Sequence, residues 1–269
     1  MTVESRERGP ATRDSSGRRR AASYERRTMN SISVFFPCYN EQDNINRTVE
    51  RALVVLQKVS ADFEIIIVDD GSSDATGQIA DEIASRDSRV KVVHHPTNLG
   101  YGGALQSGFK AATKQLVFYT DGDGQFDIDE MPPLLPLMSQ YDIVTCYRLN
   151  RQDSLVRKIN GWCWTKLVCL LFSMKVRDID CAFKLYKREI FDNIKMSSSG
   201  ALIDAEILAR AIRRGYRLTQ KGVHHYPRVA GKQSGAGPWV VLRAFKELFR
   251  LYGQIRREGT TRNKGRARA

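Results

Sequence analysis

Four short apolar runs set what this chain can become. Ile32 to Phe36, Phe63 to Val68, Val90 to Val93 and Leu116 to Tyr119 are nearly continuous in strand formers, as in strands covered on both faces. Helical spacing separates them. Ile45, Val49, Leu53, Leu56 and Val59 follow the first run, Ile79 and Ile83 the second, and a Gly-rich turn into a helix from about Ala104 to Thr113 the third. Such alternation predicts an α/β layer fold with a mostly parallel central sheet and helices on both faces. Pro37 is expected to end the first strand, Asn40 to cap the first helix with Asp43 near its positive end, and Asp74 to cap the second.

The second half reads less regularly. A helix broken at its start by Pro132-Pro133 is followed by a strand from Tyr141 to Cys146. Then come an apolar helix from Trp162 to Met174, a helix from Ile203 to Arg213 with Asp204 and Glu206 near its start, and a strand from Leu218 to Tyr226. A last helix, from Trp239 to Arg256, has Val241, Phe245, Leu248, Tyr252 and Ile255 on one face and basic residues on another. That pattern suits either a membrane interface or the domain's own core.

Three of the four first-half strands lead into acids: Glu41 after the first, Asp69 and Asp70 after the second, Asp121 and Asp123 after the fourth. In a parallel sheet these loops leave one edge, where ligands of such sheets bind. One face rich in carboxylates repels itself unless a cation joins it. The cations on offer are a divalent metal, for which hard oxygens suit Mg2+ or Mn2+, and Arg148, Arg228 and Lys232. Carboxylates, metal and arginines together describe a diphosphate site. Tyr39 can pack on a base, and Asp69 or Asp70 can accept from a nucleobase or ribose. Gly100-Tyr101-Gly102-Gly103 does not fit the dinucleotide fingerprint and follows the wrong strand.

Charge and cysteines bound the remaining classes. Of the formal +13, residues 1–30 carry +4 and residues 253–269 carry +5. The basic excess therefore lies mostly in two ends, which suit an anionic membrane surface or, non-specifically, nucleic acid. The first residues lack an apolar core after their charges, so no signal peptide is expected. The five cysteines are odd in number and lack Cys-x-x-Cys spacing, which fits free thiols in a reducing cytosol. The strand-end histidines His94, His95, His224 and His225 read as structural, with no zinc spacing.

Pro37-Cys38-Tyr39-Asn40-Glu41, Val68-Asp69-Asp70-Gly71-Ser72-Ser73-Asp74, Asn98-Leu99-Gly100 and Asp121-Gly122-Asp123-Gly124-Gln125 resemble, in order, the motifs of GT-A glycosyltransferases of family 2. Asp178 to Lys184 and the Arg228-x-x-Gly231-Lys232 loop resemble those of its polyprenyl-phosphate sugar transferases, with Ala182 where Gly is usual and Gln233 where Ser often stands. The resemblance covers about residues 31–235. It implies a GT-A nucleotide-diphospho-sugar transferase domain over 31–235, with a disordered basic extension over 1–30, an amphipathic basic helix over 236–256 and a basic tail over 257–269.

By that resemblance Pro37, Tyr39, Glu41 and Asp69 or Asp70 hold the nucleoside, and Asp121, Asp123 and Gln125 ligate Mg2+ or Mn2+. Arg148, Arg228 and Lys232 clamp phosphates, and Asp178 lies beside the acceptor. The implied reaction is inverting transfer of a hexose from a GDP-mannose or UDP-glucose type donor to a polyprenyl phosphate. The enzyme would be cytoplasmic and peripheral at the cytosolic membrane face, with no specific nucleic acid. Two rivals stand beside it: the same fold acting on a saccharide or glycolipid hydroxyl, which needs Asp178 as general base, and a non-enzymatic basic module for nucleic acid.

Overall fold

The computed structural model describes residues 31–150, 155–228 and 238–266. The four apolar runs form β1 (Ile32–Cys38), β2 (Phe63–Asp69), β3 (Val90–His94) and β4 (Leu116–Thr120). Between them stand α1 (Ile45–Val59), α2 (Thr76–Arg86) and α3 (Tyr101–Ala111). Three further strands, β5 (Ile143–Leu149), β6 (Phe183–Lys187) and β7 (Leu218–His224), complete a seven-stranded sheet in the order β3-β2-β1-β4-β6-β5-β7. Only β6 runs antiparallel to its neighbours, β4 and β5.

The sheet divides the core in two, and the strand period of two explains how. Ile32, Val34 and Phe36 of β1 pack with α1 and α2, whereas Phe35 faces α3 and the helices of the second half. These are α4 (Leu155–Phe172), α6 (Ile203–Arg213) and α7 (Pro238–Arg266), with a short α5 (Glu189–Asn193) between β6 and α6. Every residue of β2 is buried, including Glu64, which accepts from Ser33, Lys91 and Thr113.

Several local expectations are corrected. Pro37 does not end β1. The strand continues through Pro37, opposite Val68, to Cys38. The carbonyl of Cys38 accepts from Asp70 N on the β2 side. Pro37 therefore faces the β4 side, beyond the last β1–β4 pair, Phe35–Tyr119, where no ladder needs its missing N–H. Asn40 is not a helix cap. It takes φ +56° and accepts from Ser73 N at 2.8 Å, and the helix begins only at Ile45. Asp74 is not the cap of the second helix either: Ala75 holds that position without a side-chain bond, and Asp74, one residue earlier, accepts from Thr76 N at 2.9 Å. The proline-rich stretch after Asp127 makes two 3-10 turns, Ile128–Glu130 and Pro132–Ser139. The last helix runs on to Arg266, beyond the expected end at Arg256, and seats Leu248, Leu251 and Ile255 in the core. Residues 1–30 lie outside the described residues.

Candidate active site

Parallel register brings the acidic loops to one edge. Cys38 stands opposite Asp69, so the segments after β1 and β2 leave side by side. They are laced together: Asn40 N donates to Ser72 Oγ at 3.0 Å and Glu41 N to Thr76 Oγ1 at 2.8 Å. The turn after β4 closes on both. Gly122 lies so near Cys38 that a Cβ there would meet its Sγ at 2.6 Å, which fixes glycine between the two aspartates. Gly124 takes φ +72°, the left-handed turn that folds Gln125 back. Gln125 N donates to Asp123 Oδ1 at 3.0 Å, and Gln125 Nε2 reaches the Tyr226 carbonyl at 3.1 Å, which ties the turn to the exit of β7.

Arg228, four residues after β7, joins the loops. Its guanidinium pairs with Glu41 and stands 3.6 Å from Asp123 Oδ2. Burial raises the Glu41 carboxyl above its usual range even though Asn44 and Arg228 donate to it. Glu41, Asp123 and Arg228 thus converge as their positions after separate strands require. Lys232 lies outside the described residues.

Asp121 is the most costly carboxylate of the group. Its Oδ1 is buried and lacks a hydrogen-bond partner among the described residues. Burial, then the charges of Asp123 and Asp204, push its carboxyl up to about 8. Behind it lies a buried network that sequence reasoning missed. Lys184 on β6 is 0% exposed and donates to Asp204 Oδ1 at 2.7 Å, to the Cys181 carbonyl at 2.7 Å and to the Ile179 carbonyl at 3.0 Å. Tyr119 donates to the same Asp204. A lysine in an apolar strand and an aspartate in a helix face otherwise filled by Ile203, Ala205, Ile207 and Leu208 were the signal: both must be paired to be buried.

The other acids have partners of their own. Asp69 accepts from Ser72 N at 3.0 Å and sits 3.0 Å from His94 Nδ1. Burial alone would raise it, but Ser72 and His94 outweigh that and hold it below the usual range. Asp70 takes Leu99 N at 2.8 Å and Gly100 N at 2.9 Å, and lies 2.6 Å from His95. It holds the loop before α3, and His94 and His95 serve that scaffold. Tyr39, just past the end of β1, is 40% exposed.

Arg148 and Asp178 meet each other. Arg148 Nε and a terminal nitrogen grip both oxygens of Asp178 at 2.7 and 2.8 Å. Burial would lower the guanidinium pKa, but Asp178 outweighs it and raises it further. Asp180, two residues on, has no hydrogen bond or ion pair among the described residues. Burial, then the charge of Asp178, push its carboxyl up to about 6.

The donor set fits a hard divalent cation. An orphaned carboxylate oxygen on Asp121 stands next to Asp123, and oxygen ligands are what Mg2+ and Mn2+ take. Among the described residues no three His, Cys, Asp or Glu side chains group closely enough to hold a metal alone.

A mostly parallel sheet with one antiparallel strand, and carboxylates in the segments after β1, β2 and β4, define a GT-A fold. The chain matches Glycosyl transferase family 2 over residues 33–195, and it belongs to that family. The solved structures agree on the fold. Glucosyl-3-phosphoglycerate synthase of Mycobacterium tuberculosis, with Mn2+, uridine-diphosphate-glucose and phosphoglyceric acid, is similar at TM-score 0.65 and 19% identity, covering 92% of this chain and 86% of that one. Mannosyl-3-phosphoglycerate synthase of Rubrobacter xylanophilus is similar at TM-score 0.61 and 16% identity, covering 92% and 78%.

Curated relatives add names. Glycosyltransferase AglD of Haloferax volcanii is 33% identical over 207 residues, 73% of this chain and 33% of the relative. Dodecaprenyl-phosphate galacturonate synthase of Rhizobium johnstonii is 28% identical over 225 residues, 82% and 65%. Undecaprenyl-phosphate 4-deoxy-4-formamido-L-arabinose transferase of Pectobacterium atrosepticum is 34% identical over 165 residues, 60% and 50%. The chain thus spans between a third and two thirds of these relatives' lengths.

Proposed function

We propose that this domain transfers a hexosyl group from a nucleoside diphosphate sugar to a polyprenyl phosphate at the cytosolic face of a membrane, with inversion. The observation that carries the transfer chemistry is the meeting of Glu41, Asp123 and Arg228 beside the orphaned oxygen of Asp121. The acceptor class is supported by the names of the relatives from Rhizobium and Pectobacterium. Membership in a glycosyltransferase family ranks this reading above a nucleic-acid-binding module.

Each residue then has a task. Tyr39 stacks on the base, and Pro37, Glu41 and Asp69 border the nucleoside. Asp70 keeps the loop beneath it in place. Asp121, Asp123 and Gln125 hold Mg2+ or Mn2+, which when bound neutralises charge growing on the leaving diphosphate. Arg228, paired with carboxylates here, is placed to move onto the donor phosphates, with Lys232 following it in sequence. Arg148, held by Asp178, lines the acceptor side. Incubating the full chain with labelled donor, Mn2+ and polyprenyl phosphate is expected to give an acid-labile lipid product. Label found only on saccharide or glycolipid hydroxyls would instead establish the rival acceptor.

The second-half helices offer a side for that lipid. Leu155, Ile159, Trp162 and Leu170 recur along one face of α4 and are 51–78% exposed, with Lys166 among them. Phe245 of α7 meets Trp164 edge-on at 5.5 Å, and Phe249 beside it is 62% exposed. The helix α4 contains no acidic residue. An apolar stripe with basic neighbours suits an anionic lipid surface. Among the described residues no helix is long and apolar enough to cross a membrane. Trp162→Ser with Leu170→Gln is expected to weaken cosedimentation with phosphatidylglycerol vesicles about tenfold or more, given ~1.5–3 kcal/mol per large apolar side chain buried. Donor hydrolysis in solution should stay unchanged, and unaltered vesicle binding would discard this face.

A further inference from the structure

We propose that Asp180 is the catalytic carboxylate that meets the acceptor's attacking oxygen, while Asp178 acts through Arg148 as a positioning residue. The inference rests on the transfer reaction proposed above. The two acids lie on one loop between α4 and β6 but are treated differently by the fold. Both oxygens of Asp178 are gripped by Arg148 at 2.7 and 2.8 Å, and Arg148 N lies 3.3 Å from Asp178 Oδ2. A carboxylate held this way by a guanidinium is a poor proton acceptor.

The turn that carries Asp180 is pinned on each side of it. Lys184 Nζ takes the Ile179 carbonyl at 3.0 Å and the Cys181 carbonyl at 2.7 Å. Ile179, Cys181 and Ala182 are buried, so the backbone has little freedom. Within this fixed turn Asp180 is half-buried and has no hydrogen-bond or ion-pair partner among the described residues. Asp178, on the same loop, is paired, whereas Asp180 is held at a fixed position with its carboxylate left open, which is what a group reserved for a substrate looks like. The place is also right: β4 pairs with β6 through Thr120 and Phe183, so the turn before Phe183 runs beside Asp121 at the foot of the donor site.

The step balances as follows. The acceptor oxygen forms a bond to the anomeric carbon, and the bond from that carbon to the diphosphate oxygen breaks. Its electron pair leaves with the nucleoside diphosphate, and the acceptor's proton passes to Asp180. For a lipid phosphate that proton belongs to the monoanion; for a sugar it belongs to the hydroxyl. The charged groups facing Asp180 are Asp178 on its own loop, Arg148 on β5, Lys184 on β6 and Asp204 on α6. Burial and Asp178 hold its carboxyl near 6, so the rate should rise with pH through that region as the base form fills.

The test is a pair of neutral isosteres in the full chain, Asp180→Asn and Asp178→Asn, with Mn2+ and labelled donor. Each is assayed against polyprenyl phosphate and against a sugar hydroxyl. Asp180→Asn should lose kcat by about 10²–10⁴-fold, keep the donor KM, lose the acid-side inflection of the pH profile, and melt no lower than wild type. Asp180→Glu should recover part of the rate. Asp178→Asn should release Arg148, raise KM and lower the melting temperature, but keep the inflection. An Asp180→Asn enzyme with near-normal kcat, or with the inflection intact, overturns the proposal. So does an Asp180→Asn chain that fails to fold, because a lone carboxylate replaced by its isostere should not destabilise. Wild type active only on the hydroxyl sinks the lipid acceptor and leaves Asp180 to be judged on that substrate. Wild type inactive on both sinks the parent reading, and this proposal with it.

Discussion

Asp123→Ala is expected to cut glycosyl transfer on the order of a thousandfold while leaving the fold intact or slightly more stable. The rate effect follows from position. Asp123 is buried, 8% exposed, at the edge where β1, β2 and β4 end, and Arg228 stands 3.6 Å away. Loss of one group that balances charge developing on a leaving oxygen costs about 10²–10³-fold in kcat. Here the same change also leaves only Asp121 and Gln125 to hold a cation. The stability effect has the opposite sign. Asp121 is pushed up by burial and then by the charge of Asp123, and Asp123 also raises Glu41. Removing a carboxylate from a cluster that repels itself relieves both neighbours. Thermal melting measured with and without Mn2+ and nucleoside diphosphate separates the two effects. Wild type should gain stability from the pair of ligands, and the variant should gain none. A variant that melts far below wild type without ligand would mean Asp123 is a structural residue. A variant that keeps its ligand shift would remove it from the donor site.

The first half of the fold was legible because its signals are local. Apolar runs of strand length and helical spacing between them placed β1 to β4 and the helices that cover them. Asp121, Asp123 and Glu41 could be brought to one edge by parallel topology alone. What stayed hidden depends on contacts distant in sequence. Pro37 reads as a strand end, and only the short β1–β4 pairing shows that its missing N–H is harmless. The antiparallel insertion of β6 is invisible in its apolar pattern, yet it carries Lys184 under Asp121. Asp69 and Asp70 look equivalent in sequence. In space Asp70 is spent on Leu99 N, Gly100 N and His95, while Asp69 turns to Ser72 and His94. Arg148 and Asp178, expected at donor and acceptor respectively, turn out to hold each other.

Lys184→Met is expected to be the most damaging single change for stability, lowering it by about 3–5 kcal/mol, the typical effect of breaking a buried ion pair by removing one partner. That is a large share of the roughly 5–15 kcal/mol by which a domain is stable. The side chain volume is nearly kept, so the loss would not come from a cavity. It comes from what is left behind. Asp204, 2% exposed, would keep only the Tyr119 hydroxyl, and the carbonyls of Ile179 and Cys181 would lose a charged donor. Replacing both charges, Lys184→Met with Asp204→Leu, should recover much of the loss, because two apolar groups no longer strand a charge. Denaturant midpoints of the two variants measure this directly. A Lys184→Met chain within about 1 kcal/mol of wild type would show that the pair contributes no more than an exposed ion pair does. The double variant carries a second consequence, since restored stability does not restore the clamp on the turn that presents Asp180. It should therefore fold well and transfer slowly, which separates what the lysine does for the fold from what it does for the site.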